Sequence, residues 1–280
     1  MTQDKIIFLG TAGDEFVVGK QIRASGGIVI QTEGYQFMID PGPGSLVQAK
    51  KANVNIRENT AVLVSHAHIN HCNDINIILA TMSRNRLDTK GVLIANDTLI
   101  NGDEKNRPYI TEFHKNCVER IIVPGPGQRI GIEDIEIILL KTKHNDPKAV
   151  GFKFVTPKFN LVYSSDTTYM ADLVEEYKDK DILILNVVSP FDKKQELNLN
   201  SDDAVNIIQR VKPRVAIITH FGKDMIEANP IYQARDITNI TGIPIIAAED
   251  GMVIDPSNYA SRLRQKKLES FETDVQEKQN

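Results

Sequence analysis

Four apolar runs in this chain stop at residues of metal-binding type, and that recurrence limits the folds open to it more than any other feature. Ala61-Val-Leu-Val64 runs into Ser65-His66-Ala67-His68-Ile69-Asn70-His71. Lys141-Thr-Lys-His144, Tyr163-Ser-Ser-Asp166 and Ile217-Ile-Thr-His220 repeat the form of a strand that ends in a ligand type. Each of these residues would sit at one edge of a sheet. Only six histidines occur in 280 residues, so three within one heptapeptide is a strong clustering. Alternation along an extended segment points His66 and His68 the same way, and His71 returns to their pocket as the chain turns into the next helix. Neutral imidazole is the commonest metal ligand, and zinc takes N and O donors at sites that keep a position open for water. Metal binding is therefore favoured over a polar loop of satisfied or solvent-facing histidines.

The rest of the chain reads as mixed α/β, with short β-branched runs separated by helix-like stretches. Strands are predicted over residues 5–9, 27–31, 36–39, 61–65, 91–95, 121–123, 135–141, 151–156, 161–164, 182–188 and 215–219. Thr32-Glu-Gly34 is predicted as a hairpin turn. Residues 73–82 carry apolar side chains at helical spacing, with Asn73 or Asp74 as N-cap. A second helix starts at Ser201 as cap and stops before Pro213, and a shorter one covers 171–177. Roughly a dozen strands with helices outside predict two packed sheets. With 41% hydrophobic and 25% charged residues the composition is that of a globular chain. No apolar run approaches the roughly 18 to 20 residues of a membrane helix. The N-terminus lacks the apolar stretch of a secretory signal, so a cytoplasmic location is expected. A net charge of −4 argues against an extended nucleic-acid-binding surface. Cys72 and Cys117 are too few for a disulfide scaffold; Cys72 is expected to face the core, and His114 a surface turn.

The ordered set H-x-H-x-(D/N)-H, His, Asp, His at strand ends resembles the metallo-β-lactamase superfamily of hydrolases. Phe8-Leu-Gly-Thr11 and Met38-Ile-Asp40-Pro-Gly-Pro-Gly44 also match its pattern, over nearly the whole chain. The resemblance implies a four-layered αββα sandwich, α/β in class, with the metal site at one edge of the two sheets. It implies one domain over residues 1–257 and a polar C-terminal helix or tail over 258–280. It further implies that His66, His68 and His144 hold one cation and that His71 and His220 hold a second, with Asp166 between them. Asp40 would orient a ligand imidazole from behind. Zn2+ is the expected ion, one or two per chain, with Mn2+ or Fe as alternatives.

The implied activity is metal-dependent hydrolysis by a metal-bound hydroxide, with Asp166, Asn70 and His220 as the catalytic group. Gly10-Thr-Ala-Gly13 through Arg23-Ala-Ser25 resembles the ribonuclease Z and cyclic phosphodiesterase branch. The short interval from His144 to Asp166 leaves no room for that branch's tRNA-binding arm. Between Asp166 and His220 there is no histidine, so the branch's extra catalytic histidine is missing too. Asn70 stands where most members carry Asp, which removes one negative charge from the second site and weakens it. A phosphodiester in a small molecule or short nucleotide is the expected substrate, in an enzyme that can self-associate. A lactone or β-lactam carbonyl is the alternative, and a non-catalytic metal-binding scaffold the second alternative. Arg84, Arg86 and Lys90 read as a solvated helix end, with phosphate contact as the alternative. The turns Pro41-Gly-Pro-Gly44 and Pro124-Gly-Pro-Gly127 read as ordinary loop punctuation that could shape a pocket rim.

Overall fold

Both faces of the strands are apolar, and this decides the architecture. In β1 (Lys5–Phe8) Ile6 and Phe8 point to one side and Ile7 to the other, and all three are buried. Strands covered on both sides read as continuous apolar runs, because each side needs its own packing layer. The computed structural model describes residues 3–104 and 107–260. One sheet contains β1, β2 (Ile28–Thr32), β3 (Tyr35–Ile39), β4 (Asn59–Val64), β5 (Val92–Ala95) and β6 (Arg120–Ile122) in that spatial order. The other runs from β7 (Arg129–Ile132) through β8 (Ile135–Lys141), β9 (Val150–Val155), β10 (Asn160–Tyr163) and β11 (Ile182–Ser189). The short β12 (Leu199–Asn200) pairs with β11, and β13 (Val215–Thr219) and β14 (Ile245–Ala247) complete that sheet. A last strand, β15 (Val253–Ile254), crosses back to pair antiparallel with β1.

The sheets pack through Phe8, Phe37, Phe152, Phe154, Ile184 and Ile217, among others. Phe37 meets Phe154 edge to face at 5.5 Å, an arrangement worth about 0.5–1.5 kcal/mol beyond the buried area. The outer face of the first sheet is covered by the helix Ile75–Met82, whose Ile75, Ile78, Leu79 and Met82 pack on Met38, Val62 and Val64. The outer face of the second is covered by the helices Ser201–Val211 and Pro230–Thr241. The result is the expected αββα sandwich.

Strand direction then sets where the ligand types fall. β3, β4 and β5 are mutually parallel, as are β10, β11 and β13. β8 reaches the same sense as β10 through two antiparallel pairings. All these strands therefore deliver their C-terminal ends to one edge of the sandwich.

The structure corrects several local expectations. Asn200, not Ser201, caps the 201–211 helix: its side chain accepts from Asp203 N–H at 2.9 Å and the Asp203 carboxylate returns the contact. The helix expected over 73–82 forms over Ile75–Met82, and a separate short helix, Ile69–Cys72, precedes it. Asp74 occupies the cap position but its carboxylate accepts from Leu46 N–H instead. His114 lies in a short helix, Glu112–Lys115, rather than a turn. The hairpin at Thr32-Glu-Gly34 forms as expected, with positive φ at Glu33 and Gly34 as a two-residue primed turn requires. β7, β12, β14, β15 and the helix Pro230–Thr241 were not anticipated. Lys90 precedes β5 and so lies at the edge opposite the ligand-bearing one, and Arg86 sits over the Phe113 ring, so phosphate contact at the site falls away for both. The 3-10 helix Pro256–Tyr259 crosses the anticipated boundary at 258, and of the polar helix or tail expected over 258–280, residues 261–280 lie outside the described residues. Among the described residues no helix is long and apolar enough to cross a membrane.

Replacing Asn200 by Ala removes the cap and is expected to cost about 1 kcal/mol, read as a lower denaturation midpoint at unchanged m-value. Cys72 is buried against the helix layer, as anticipated, and burial pushes its thiol up to about 12. Cys117 is fully buried too. Neither thiol should react with Ellman's reagent in the folded protein at about pH 8, and both should react in denaturant.

Candidate metal centre

Most ligand-type residues sit where a strand ends and the chain must turn at once, and His71 lies in the short helix Ile69–Cys72 that follows β4. Asp40 follows β3 at φ 50°, Ser165 precedes Asp166 at φ 56°, and His220 follows β13 at φ 64°. Non-glycine residues in this left-handed region cost on the order of 1–3 kcal/mol each, and such strain concentrates at functional sites. Close backbone packing keeps the turns in place. Thr11 and Gly13 exchange hydrogen bonds with Phe221: Phe221 N–H donates to Thr11 O at 2.8 Å and Gly13 N–H to Phe221 O at 2.9 Å. A side chain at Gly13 would strike the carbonyl of His220, and one at Gly42 the carbonyl of Asn70. The Pro41–Gly44 turn is thus built into the site floor. The Pro124–Gly127 turn is not; it pairs with β8 through Gly127 N–H and Leu139 O.

Five histidines and Asp166 converge at this edge. Asp166 Oδ2 lies 3.3 Å from His71 Nε2 and 3.3 Å from His220 Nε2, and 3.8 Å from both His66 Nε2 and His144 Nε2. His68 Nδ1 is 2.9 Å from His66 Nε2 and 3.3 Å from His144 Nε2. Two donors each about 2.0–2.1 Å from a common tetrahedral ion stand about 3.4 Å apart, so these spacings are those of ligands to shared cations. The donors fall into two overlapping groups, His66, His68, His144 and Asp166, and His71, Asp166 and His220. The residues present fit a divalent metal.

The hydrogen bonds behind the cluster fix which nitrogen faces inward. Asp40 Oδ2 accepts from His71 Nδ1 at 2.9 Å, from the Ser65 hydroxyl at 2.8 Å and from the Tyr163 hydroxyl at 2.8 Å, and its Oδ1 accepts from Ser65 N–H at 2.7 Å. Having given its proton to Asp40, the Ser65 oxygen accepts from His66 Nδ1, 2.9 Å away. His144 Nδ1 donates to Leu197 O at 2.9 Å. When these imidazoles are neutral, as ligation requires, the inward Nε2 of His66, His71 and His144 is therefore the lone-pair nitrogen. Asn70 Nδ2 lies 3.3 Å from Gly13 O and 3.5 Å from His220 Nε2.

Charge within the cluster is uneven. Burial depresses the proton affinity of His66, assisted by the neighbouring His71, and burial likewise depresses His68, assisted by His144. Burial alone would depress His71 as well, but it stands between the carboxylates of Asp166 and Asp40, which raise it to about 10. Burial works against ionising Asp166, yet His220 and His71 outweigh it and hold its carboxyl well below the usual range.

Sequence reasoning missed Asn186 and the role of Tyr163. Asn186 Nδ2 donates to Asp166 Oδ1 at 2.7 Å and to the Tyr163 hydroxyl at 3.2 Å. The available signal was a single amide inside the otherwise apolar run Ile182-Leu-Ile-Leu-Asn186-Val-Val188. Asp146 was missed too. Its Oδ2 accepts from Ala67 N–H at 3.2 Å and from Asn96 Nδ2 at 2.7 Å, tying the loop of His144 to the segment between His66 and His68. Beside His68 opens a cleft of about 440 Å³, bordered by Arg107, Tyr109, Thr98, Asn145 and the carboxylates of Asp103 and Asp146.

The family model described as beta-lactamase superfamily domain matches residues 35–221. The uncharacterized protein MJ1374 of Methanocaldococcus jannaschii is 30% identical over 256 residues, 91% of this chain and 96% of that protein. Ribonuclease Z of Methanopyrus kandleri is 24% identical over 154 residues, 54% of this chain and half the length of that relative. Among solved structures, the metallo-beta-lactamase fold protein YhfI from Bacillus subtilis superposes with a TM-score of 0.74 at 19% identity, covering 90% of this chain and 99% of its own. With the family model spanning most of the chain, the chain belongs to the metallo-β-lactamase superfamily and is a metal-dependent hydrolase, and it is similar to ribonuclease Z.

Proposed function

We propose that the protein hydrolyses phosphodiester bonds in small molecules or short nucleotides, with zinc as its metal. In this reading His66, His68 and His144 hold one cation, His71 and His220 hold a second, and Asp166 Oδ2 lies between them. The observation that carries it is the convergence of four imidazole nitrogens on one carboxylate oxygen, 3.3–3.8 Å away, beside an open cleft. A divalent cation supplies Lewis-acid polarisation of a substrate oxygen and lowers the pKa of water toward neutrality. The likeness to ribonuclease Z supports phosphorus over carbonyl as the centre attacked.

The chain's own groups have separate parts in this chemistry. Asp166, held ionised by His220 and His71, accepts hydrogen bonds and does not serve as the acid. Asn70 directs its amide nitrogen to Gly13 O at 3.3 Å and to His220 Nε2 at 3.5 Å, so it fixes the mouth of the second donor group. Arg107, exposed at the cleft, pairs with a phosphate that an anionic substrate presents. Between His144 and Asp166 the chain forms only the loop to β9, β9 itself and β10, which supports a short substrate rather than a folded RNA. The net charge of −4 supports the same limit.

The test is a screen of zinc-loaded protein against bis(p-nitrophenyl) phosphate, cyclic nucleotides, lactones and a chromogenic β-lactam. Turnover of the phosphodiesters in preference to the carbonyl compounds is expected. The reverse preference assigns a carbonyl hydrolase, and binding of metal without any turnover assigns a scaffold. Arg107→Ala should raise KM for the phosphodiesters while leaving kcat nearly unchanged, the pattern of lost uniform binding. Asn70→Asp restores a charged donor and should tighten the weaker cation by about tenfold or more, read as metal per chain by elemental analysis after dialysis.

A further inference from the structure

The amide of Asn186 is the one polar side chain in the buried stretch Ile182–Val188 of β11, where a leucine would extend the packing of Ile182 and Ile184. Burying an amide is costly unless its hydrogen bonds are met, so what it binds explains its presence. Its two N–H groups reach Asp166 Oδ1 at 2.7 Å and the Tyr163 oxygen at 3.2 Å. Its own backbone N–H is held by Ser164 Oγ at 3.1 Å. From Tyr163 the chain of contacts passes to Asp40 Oδ2 at 2.8 Å and on to His71 Nδ1 at 2.9 Å. His71 Nε2 then faces Asp166 Oδ2 at 3.3 Å, which closes a ring of five side chains. All five are less than 5% exposed, so water does not compete for any of these contacts.

We infer that Asn186 and Tyr163 are positioning residues that lock the Asp166 carboxylate to the His71 imidazole through this ring, withholding Oδ1 from the ligand cluster and presenting Oδ2 alone. The inference rests on the ligand assignment proposed above and deepens it. Occupied by Asn186, Oδ1 cannot swing to a cation, and the carboxylate cannot chelate one ion with both oxygens. Tyr163 accepts from Asn186 and donates its single proton to Asp40, so Asp40 in turn accepts from His71 rather than from the tyrosine alone. The His71, Asp166 and His220 group is held by the ring at two of its three members. The His66, His68 and His144 group meets the ring at Asp166 and, more remotely, through Ser65 on Asp40. Breaking the ring should therefore loosen the first of these groups much more than the second.

The experiment is a cobalt(II) titration of the full chain, followed by the visible absorption bands and by equilibrium dialysis. It compares wild type, Asn186→Leu, Tyr163→Phe and the double variant, with His220→Ala identifying the binding step that belongs to the His71 and His220 group. Each single variant is expected to weaken that step by about 10- to 100-fold, with the other step little changed and the ligand-field bands of the weakened site altered. Because both substitutions open the same ring, the double variant should be no worse than the more severe single one. Equal weakening of both steps, no weakening, or effects that add would overturn the inference. Tyr163→Phe removes one oxygen without changing side-chain shape, so it carries the test if Asn186→Leu does not fold. A wild type that binds a single cobalt would sink the two-cation assignment. The ring is then judged on that one step, where tenfold weakening sustains it and no change sinks it.

Discussion

Packing two sheets face to face, with helices on both outer sides, is the constraint on which everything else in this protein depends. Once Phe37 and Phe154 meet across the interface, the two sheets cannot slide without opening the core between them. Their parallel segments then end at one edge, and the loops leaving that edge are obliged to share a small space. The metal centre is a product of this geometry. No single loop builds it: His66, His144, Asp166 and His220 come from four strand ends across both sheets, and Val150 N–H donating to Ser65 O ties the sheets at the same edge.

At that edge one carboxylate stands among five imidazoles. The arrangement is costly on its own terms, since the turns at Asp40, Ser165 and His220 occupy the left-handed region and the polar groups are buried. The core beneath supplies the stability that holds the strained turns. Asp40 carries four hydrogen bonds, and this satisfaction is what lets a carboxylate sit 4% exposed beneath the cluster. Family membership and this geometry agree, and Asn70 is at the mouth of the second donor group rather than inside the supporting network.

The sequence made the ligand set legible because ligation demands particular residue types at particular strand ends, and few other pressures place histidine there. It made the sandwich legible because the apolar runs were continuous rather than alternating. The helix Pro230–Thr241 is equally readable: Asn229 as cap, Pro230 in the first turn and Gly242 just past the end are the expected start and stop signals. β7 was hidden for a physical reason. It is an edge strand whose Arg129 and Gly131 face solvent, so its pattern is too polar to stand out. The two-residue β12 and β15 exist only because a neighbouring strand offers them hydrogen bonds. Asn186 and Tyr163 escaped notice since a residue that acts on another side chain needs no fixed spacing in sequence; their partners lie on β10 and at the ends of β3 and β10.

The hydrogen bonds between Thr11, Gly13 and Phe221 join residues separated by most of the chain. A chain emerging from the ribosome can form β1 through β6 early, yet its first three histidines then have neither Asp166 nor His220 beside them. The loop that walls the second donor group stays unanchored until Phe221 has been synthesised and β13 has docked. Contacts of such high sequence separation form late, after their loop-closure cost has been met. Assembly of the donor set is therefore a terminal event of folding, and a nascent fragment ending before β13 presents a cation with at most an incomplete cluster.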